Sequence, residues 1–486
     1  MVLTYLRSRD SLCLRHAHLV NRWLFTAEVK TLPPLLRYLS VDELGVRAAA
    51  LVDRRPRDAR LRQVGTSRAG LPLLLLSVGH GSRQALIVAG PHANEPVGGA
   101  TALRLAERAL ADPRLCDGAD VTWNLLLCLD PDGARRNEGW LSGPYTLGHY
   151  FRHFFRPGFL EQPEWLPDGA AAAALPETRA LLALQDELRP FFQCSLHGVD
   201  VGGGFVELTR DLPGLAPRLA HIAGRLDIPL ELGPYDTLYW PTLGPAVYRI
   251  PPPRRGDLAA AITEAAVEST WFHPHAYGTV TAVVEAPMWG VAAVGDGSAP
   301  ADTDGALRAV SRTLRRDTAL LEVLLARIRP SLGTAPDADR LLAPVDDYLL
   351  VCPGLADSWD PDTGPDTDAD GGARPLPPLD TARLTALRIS GRRIALRTAG
   401  LLRQLVTAAG HDPSGATADL DRLIDEWCAD YHDGHGARWI PVARQVEYHA
   451  RVVLAAFDLA RHQAPAAPPG ASPLGTPPMR AEVPFE

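Results

Sequence analysis

Apolar positions between residues 36 and 330 alternate between two rhythms, one of period two and one of helical spacing. Leu61 to Gly79 holds two extended, apolar-rich runs split by the turn-like TSRAG, the pattern of an antiparallel hairpin. Ala85 to Ala89 is a short unbroken apolar run, as expected of a buried strand. Val97 to Ala111 places apolar residues at helical spacing and stops before Asp112-Pro113. Val121 to Leu129 predicts another strand, because Leu125, Leu126 and Leu127 leave no face for water. Leu175 to Arg189 opens with Pro-Glu-Thr and predicts a helix with an acidic first turn. Further strands are predicted at Phe191 to Leu196 and at Val280 to Glu285. Leu307, Val310, Leu314, Leu321, Leu324 and Ile328 then mark one face of a long amphipathic helix ending at Pro330.

This alternation predicts an α/β fold in which a mixed, twisted β-sheet is sandwiched by helices, since an early hairpin argues against a purely parallel sheet. The expected divisions are an N-terminal extension over 1–35, the α/β domain over 36–330 and a linker over 331–380. The linker expectation rests on Pro353 to Asp380, which is dense in Asp, Pro and Gly. A small all-α region in three helical segments follows over 381–463, then a Pro-rich, disordered tail over 464–486. The chain shows no internal repeat.

Composition narrows the class. A chain of 486 residues suggests two domains, and 46% apolar with 22% charged residues is the balance of a globular protein. Its 49 basic and 57 acidic side chains form no basic stripe, which argues against nucleic acid as a partner. No window approaches the length of uncharged apolar chain that a membrane span needs. Arg7, Arg9 and Asp10 interrupt the apolar run that a signal peptide would require, so the N-terminus reads as unprocessed. The six cysteines are scattered, and Cys128 and Cys194 sit in apolar runs as buried, reduced thiols would. Together these features point to a cytoplasmic location.

Candidate chemistry concentrates at predicted strand ends. In LIVAGPHANEPVGGATAL a buried strand ends at Gly90, and His92 and Glu95 follow before a helix. An imidazole and a carboxylate three residues apart can reach one ion, and zinc accepts this mixture while leaving a position for water. The carboxyl ends of strands are also where α/β proteins place ligands. A third ligand is offered by His197, at the end of the run Phe191 to Leu196. Glu285 closes a β-branched strand in GTVTAVVEAPMW, a setting that raises a carboxyl pKa and suits a general base. His16 and His18, His273 and His275, and Asp430 with His432 and His435 carry ligand atoms but lack such settings.

The ordered set His92-Ala-Asn-Glu95, Asp130-Pro-Asp-Gly133, His197 and Glu285-Ala-Pro287 resembles the M14 metallocarboxypeptidase family. The segment Leu175-Pro-Glu-Thr-Arg-Ala180 is similar to the helix before that family's third ligand, and the resemblance spans residues 36 to 330. It implies a twisted, mixed eight-stranded sheet and one Zn2+ per chain, held by His92, Glu95 and His197. It also implies hydrolysis of a C-terminal peptide bond, with Glu285 carrying the proton from water to the leaving amine. The stretch Asp130 to Asn137 resembles the one holding an arginine that polarises the scissile carbonyl, which points to Arg135, with Arg136 as the competitor. Arg152, in Gly148-His-Tyr-Phe-Arg-His-Phe154, matches half of the family's carboxylate grip; Phe151 stands where an asparagine is usual. Asp130 likewise replaces an asparagine, and the family's phenol falls among Tyr235, Tyr239 and Tyr248. Gly198 after the third ligand also resembles the aspartoacylase-like amide hydrolases.

The function expected is therefore a zinc-dependent metallocarboxypeptidase-type hydrolase acting on a peptide or small amide substrate. One alternative is a zinc amidase or deacylase for acyl-amino acids or murein-type peptides. Another is a metal-binding protein without catalysis, against which Glu285 argues, since a binder has no use for a base.

Overall fold

The computed structural model describes residues 35–166, 174–251, 269–332, 337–363, 366–367, 373–410, 412 and 415–463. The expected N-terminal extension, apart from residue 35, and the expected tail lie outside the described residues. Among the described residues, ten strands make one mixed sheet, two more than the resemblance implied. The predicted hairpin is β1 (Ala59–Thr66) and β2 (Pro72–Val78), paired antiparallel. β3 (Arg83–Ala89), β4 (Val121–Leu126), β5 (Phe192–Gly202) and β6 (Phe205–Leu208) follow. β7 (Thr242–Gly244), β8 (Val247–Arg249), β9 (Val280–Gly290) and β10 (Arg438–Trp439) complete the sheet. Strand order is β1-β2-β4-β3-β5-β9-β6-β8-β7, with β10 against β9.

The central strands β4, β3, β5 and β9 run parallel to one another, while β2 beside β4 and β6 beside β9 are antiparallel. Strands buried on both faces must be apolar throughout, which is why they read as unbroken runs in the sequence. Helices α1 (Val41–Arg54), α2 (Val97–Ala111), α3 (Pro131–Arg136), α4 (Leu147–His153), α5 (Pro176–Leu188) and α6 (Leu215–Leu226) belong to this part of the chain. On β3, Leu86 and Val88 pack with Leu181 and Leu184 of α5, while Ala85, Ile87 and Ala89 join the main core with α2. This two-residue alternation gives the sheet a helical layer on each side.

The C-terminal half departs from expectation. After α7 (Thr303–Leu332), residues of the expected linker form a 22-residue helix, α8 (Ala338–Trp359). Pro344 and Pro353 lie within it and each removes a backbone donor, and Pro353 begins the Asp-, Pro- and Gly-dense run on which the linker expectation rests. Leu341, Val345, Cys352, Ala356 and Trp359 nevertheless fall on one face and are buried, so tertiary packing overrides the local preference. α9 (Thr381–Ala409), α10 (Ala416–Ala429) and α11 (Val442–Ala460) supply the three expected segments, but they are not an appendage. α11 packs on α2, α6 and β9, while α9 packs on α4, α7 and α8. A Cβ at Gly400 of α9 would lie 2.0 Å from the Phe151 carbonyl oxygen, so α9 and α4 meet closely enough to exclude a side chain.

A buried ion pair fastens α9 to the sheet. Asp200 of β5 has no exposed surface, and its Oδ2 accepts bonds from Arg397 Nε and Nη2, both at 2.8 Å. Its Oδ1 accepts from the Tyr150 hydroxyl at 2.7 Å and from Asn94 Nδ2 at 3.1 Å. Removing one partner of such a pair strands the other charge out of water. Arg397→Ala should therefore lower unfolding free energy by about 3–5 kcal/mol in chemical denaturation. A loss below about 1 kcal/mol, the range of surface pairs, would count against this role.

Candidate active site

At the end of β3 the backbone turns at Gly90, where φ is 58° and a Cβ would lie 2.9 Å from Cys128 Sγ. Glycine alone fits both conditions. The turn delivers His92 and Glu95 to the carboxyl edge of the sheet, immediately before α2. His92 Nδ1 lies 3.1 and 3.2 Å from the two Glu95 carboxylate oxygens. His197 Nδ1 lies 3.1 Å from His92 Nδ1 and 3.3 Å from Glu95 Oε2. Among the described residues, these three form the one group whose ligand atoms all fall within 4.8 Å of one another. Metal–nitrogen and metal–oxygen bonds of about 2.0–2.2 Å in a tetrahedron separate ligand atoms by about 3.3 Å. The observed spacings fit.

A residue that the sequence reading missed sets the tautomers. Glu164, fully buried, places Oε2 3.1 Å from His197 Nε2 and 3.8 Å from His92 Nε2. Its Oε1 accepts from Ser195 Oγ at 2.6 Å and from Trp271 Nε1 at 2.8 Å. With Nε2–H directed at Glu164, His197 turns the lone pair of Nδ1 toward His92 and Glu95. No local motif marks Glu164, which reaches the site through a loop rather than a strand end.

The electrostatics agree with a cation-binding centre. Burial alone would lower His197, but the charge and hydrogen bond of Glu164, with Glu95 and Glu285, hold its pKa well above the ordinary range. Burial pushes His92 down to about 4, helped by Arg156 and opposed by Glu95. Burial would raise Glu95, yet the two histidines outweigh it and hold the carboxyl well below its usual value. The negative field that keeps a proton on His197 is the field that a divalent cation would find there.

Glu285 stands beside this group. β5 and β9 pair in parallel with His197 opposite Glu285, and Glu285 Oε1 is 3.7 Å from His197 Nδ1. Its Oε2 is buried without a hydrogen-bond partner among the described residues. Burial, reinforced by Glu95, Glu207 and Asp236, raises its pKa well above that of an ordinary glutamate. Both residues lie inside their strands rather than at the ends, because β5 continues to Gly202 and β9 to Gly290. The polar side chains do not end the strands; they turn into a cavity of about 220 Å³.

The arginines fall differently from expectation. Arg135 pairs with Asp42 at 2.5 Å, and Arg136 pairs with Asp337 at 3.1 Å while covering the Phe155 ring. Neither lines the cavity. Asn137 points inward to bond the Ala93 and Phe155 carbonyls, and residues one or two positions away on a helical turn face elsewhere. Arg152 is likewise outside the cavity, bound to Asp421 at 2.7 Å and Asp425 at 2.8 Å on α10. Tyr150 and Phe151 take the inward positions of α4, which leaves Arg152 facing the C-terminal helices. Among the described residues, the guanidinium groups that do line the cavity belong to Arg156, Arg393 and Arg397. Arg156 Nη1 bonds Glu95 Oε1 at 3.2 Å. It follows α4 in HFFRPG, where a charge between aromatic residues and Pro-Gly was the available signal. Tyr235, Tyr239 and Tyr248 do not line the cavity, whereas Tyr348 of α8 does.

The zinc carboxypeptidase family model (Peptidase_M14) matches residues 47–145, and over this stretch the chain resembles that family, as its motifs indicated. No curated protein matches the chain. Among solved structures, a metallo-carboxypeptidase from Burkholderia cenocepacia is 17% identical over 51% of this chain and 60% of its own, with a TM-score of 0.33. Carboxypeptidase A from Helicoverpa armigera is 14% identical over 57% of this chain and 72% of its own, with a TM-score of 0.35. Bovine thrombin-activatable fibrinolysis inhibitor is 12% identical over 51% of this chain and 86% of its own, with a TM-score of 0.32. The chain thus spans less than two thirds of the Burkholderia enzyme's length.

Because protons and cations compete for Nδ1 of His197, divalent-cation affinity should fall as pH is lowered, beginning above the range of an ordinary histidine. Glu164→Gln should weaken cation binding by about 10–100-fold and move that onset to lower pH. Competitive titration with a metal-sensitive dye across pH measures both; an unchanged onset would separate Glu164 from the site.

Proposed function

We propose that this chain is a zinc-dependent metallohydrolase that cleaves a peptide or peptide-like amide bond with water. The observation that supports this most is the meeting of His92 Nδ1, His197 Nδ1, the Glu95 carboxylate and the unpartnered Glu285 Oε2 at one cavity. His92, Glu95 and His197 would hold the ion. Bound there, zinc supplies a Lewis acid that acidifies water and polarises a carbonyl oxygen. Glu285, whose raised pKa makes its carboxylate a stronger base than an ordinary glutamate, takes the proton from the attacking water and, as the acid so formed, gives it to the leaving amine. Arg156, against Glu95, is placed to share negative charge that develops on the carbonyl oxygen. Trp271, edge-on to the His197 ring, keeps water from the imidazole and from Glu164.

The binding of Arg152 by Asp421 and Asp425 favours a second reading, an amidase for acyl-amino acids or murein-type peptides. No described helix is long and apolar enough to cross a membrane. The five described cysteines are free and buried, which supports a cytoplasmic setting.

Elemental analysis of purified protein should give about one zinc per chain, the number a single His-Glu-His set can hold. Glu285→Gln should retain zinc while hydrolysis falls by about 10²–10⁴-fold. Undiminished turnover would remove Glu285 from the mechanism. Amidating the C-terminus of a peptide substrate should abolish cleavage under the carboxypeptidase reading and leave it intact under the amidase reading.

A further inference from the structure

Asn94 stands between His92 and Glu95 in the chain, yet it does not line the cavity. Its side chain is fully buried. Asn94 Nδ2 donates to Asp200 Oδ1 and to the Tyr150 hydroxyl oxygen, both at 3.1 Å. The Tyr150 hydroxyl gives its own proton to the same Asp200 oxygen, so the three side chains close a triangle. Chemistry fixes the sense of each bond. Asp200, paired with Arg397, can only accept, so Asn94 must offer its amide nitrogen rather than its oxygen. Burial and the Asp200 charge push the Tyr150 phenol well above its usual range, which keeps its proton in place to donate. The Asn94 side-chain oxygen has no hydrogen-bond partner among the described residues, so Asp200 and Tyr150 hold this side chain.

The triangle joins the two halves of the ligand set. Asp200 is on β5, three residues beyond His197, while Asn94 is two residues after His92 and one before Glu95. An ion would have to bridge the separations between these halves, 3.1 Å from His92 Nδ1 to His197 Nδ1 and 3.3 Å from Glu95 Oε2 to His197 Nδ1. Packing does not explain an asparagine here, since burying an amide costs free energy and one of its polar atoms goes unmet. We infer that Asn94 and Asp200 are positioning residues for the cation, locking the turn of His92 and Glu95 onto β5. Arg397 completes the lock. Without it Asp200 would be a lone buried carboxylate, so the spacing of the ligands depends on a helix, α9, that lies outside the family-like part of the chain. This assignment rests on the metal-binding part of the hydrolase reading, but its test needs no turnover.

Cobalt(II) accepts the same nitrogen and oxygen donors as zinc, and its visible d–d absorption reports their arrangement. Titration of the full chain with cobalt(II) should show one saturable site. Asn94→Ala should bind the ion about 10–100-fold more weakly, the usual effect of removing a partner behind a ligand, and with altered visible bands. Tyr150→Phe, which deletes a single oxygen from the triangle, should change both in the same direction. Trp123→Phe removes a buried hydrogen bond to the Leu115 carbonyl near the amino end of β4, far from the ligands. That variant should lose thermal stability and keep the wild-type affinity and spectrum. Unchanged cobalt binding in folded Asn94→Ala would overturn the inference, as would an equal loss in Trp123→Phe, which would mark the effect as general destabilisation. If Asn94→Ala does not fold, Tyr150→Phe decides in its place. A wild-type chain that takes up no cobalt would remove the metal site and this inference together. Tight binding that depends on Asn94, without hydrolysis of amide substrates, counts against the hydrolase reading only.

Discussion

The parallel pairing of β5 with β9 is the constraint on which the site depends. It sets His197 beside Glu285 in the most buried part of the sheet, where neither side chain would be stable without compensation. Much of the surrounding polar structure answers that demand. Glu164 and Ser195 receive one side of His197, Glu95 meets the other, and the Gly198 amide donates to Glu95 at 3.1 Å. A slip of one residue in this pairing would turn Glu285 to the opposite face of the sheet. The site is thus a property of strand register before it is a property of any loop.

The same constraint explains what could be read from the chain alone. Strands buried on both faces leave an apolar run that no other element imitates at that length, so β3, β4, β5 and β9 were legible. α2 was legible to the residue because its periodicity ends at Asp112-Pro113. His92 and Glu95 lie three positions apart on one turn and form a local motif. His197 and Glu285 were found by the same logic that misplaced them: a charge in an apolar run looked like the strand's end, whereas a cavity allows the strand to continue beneath it. The hairpin and the alternation were enough to indicate a mixed sheet between helices.

What remained hidden was relational. Arg135, Arg136 and Arg152 have the right spacing, yet spacing along a short helix does not fix which face looks inward. Asn137, Tyr150 and Phe151 occupy the inward positions, and the arginines pair with acids outside. Glu164 comes from a segment without periodicity. α8 was concealed because its last turns run into the Asp-, Pro- and Gly-dense stretch from Pro353, and its face lining the cavity, including Asp347 and Tyr348, has no counterpart in the family-like part of the sequence. Arg393 and Arg397 enter from α9, far along the chain from the sheet they approach.

The clasp between Asp200 and Arg397 has a consequence for the order in which the protein can come into being. Its two halves are 197 positions apart in the chain. Once the chain has been made as far as β9, strands β1 to β9, both histidines and Glu285 are present, but Asp200 has no countercharge and the cavity has no α8 or α9 wall. A newborn chain therefore carries His92, Glu95, His197 and Glu285 well before it has an enclosed chamber, which only the later helices α8 and α9 can close.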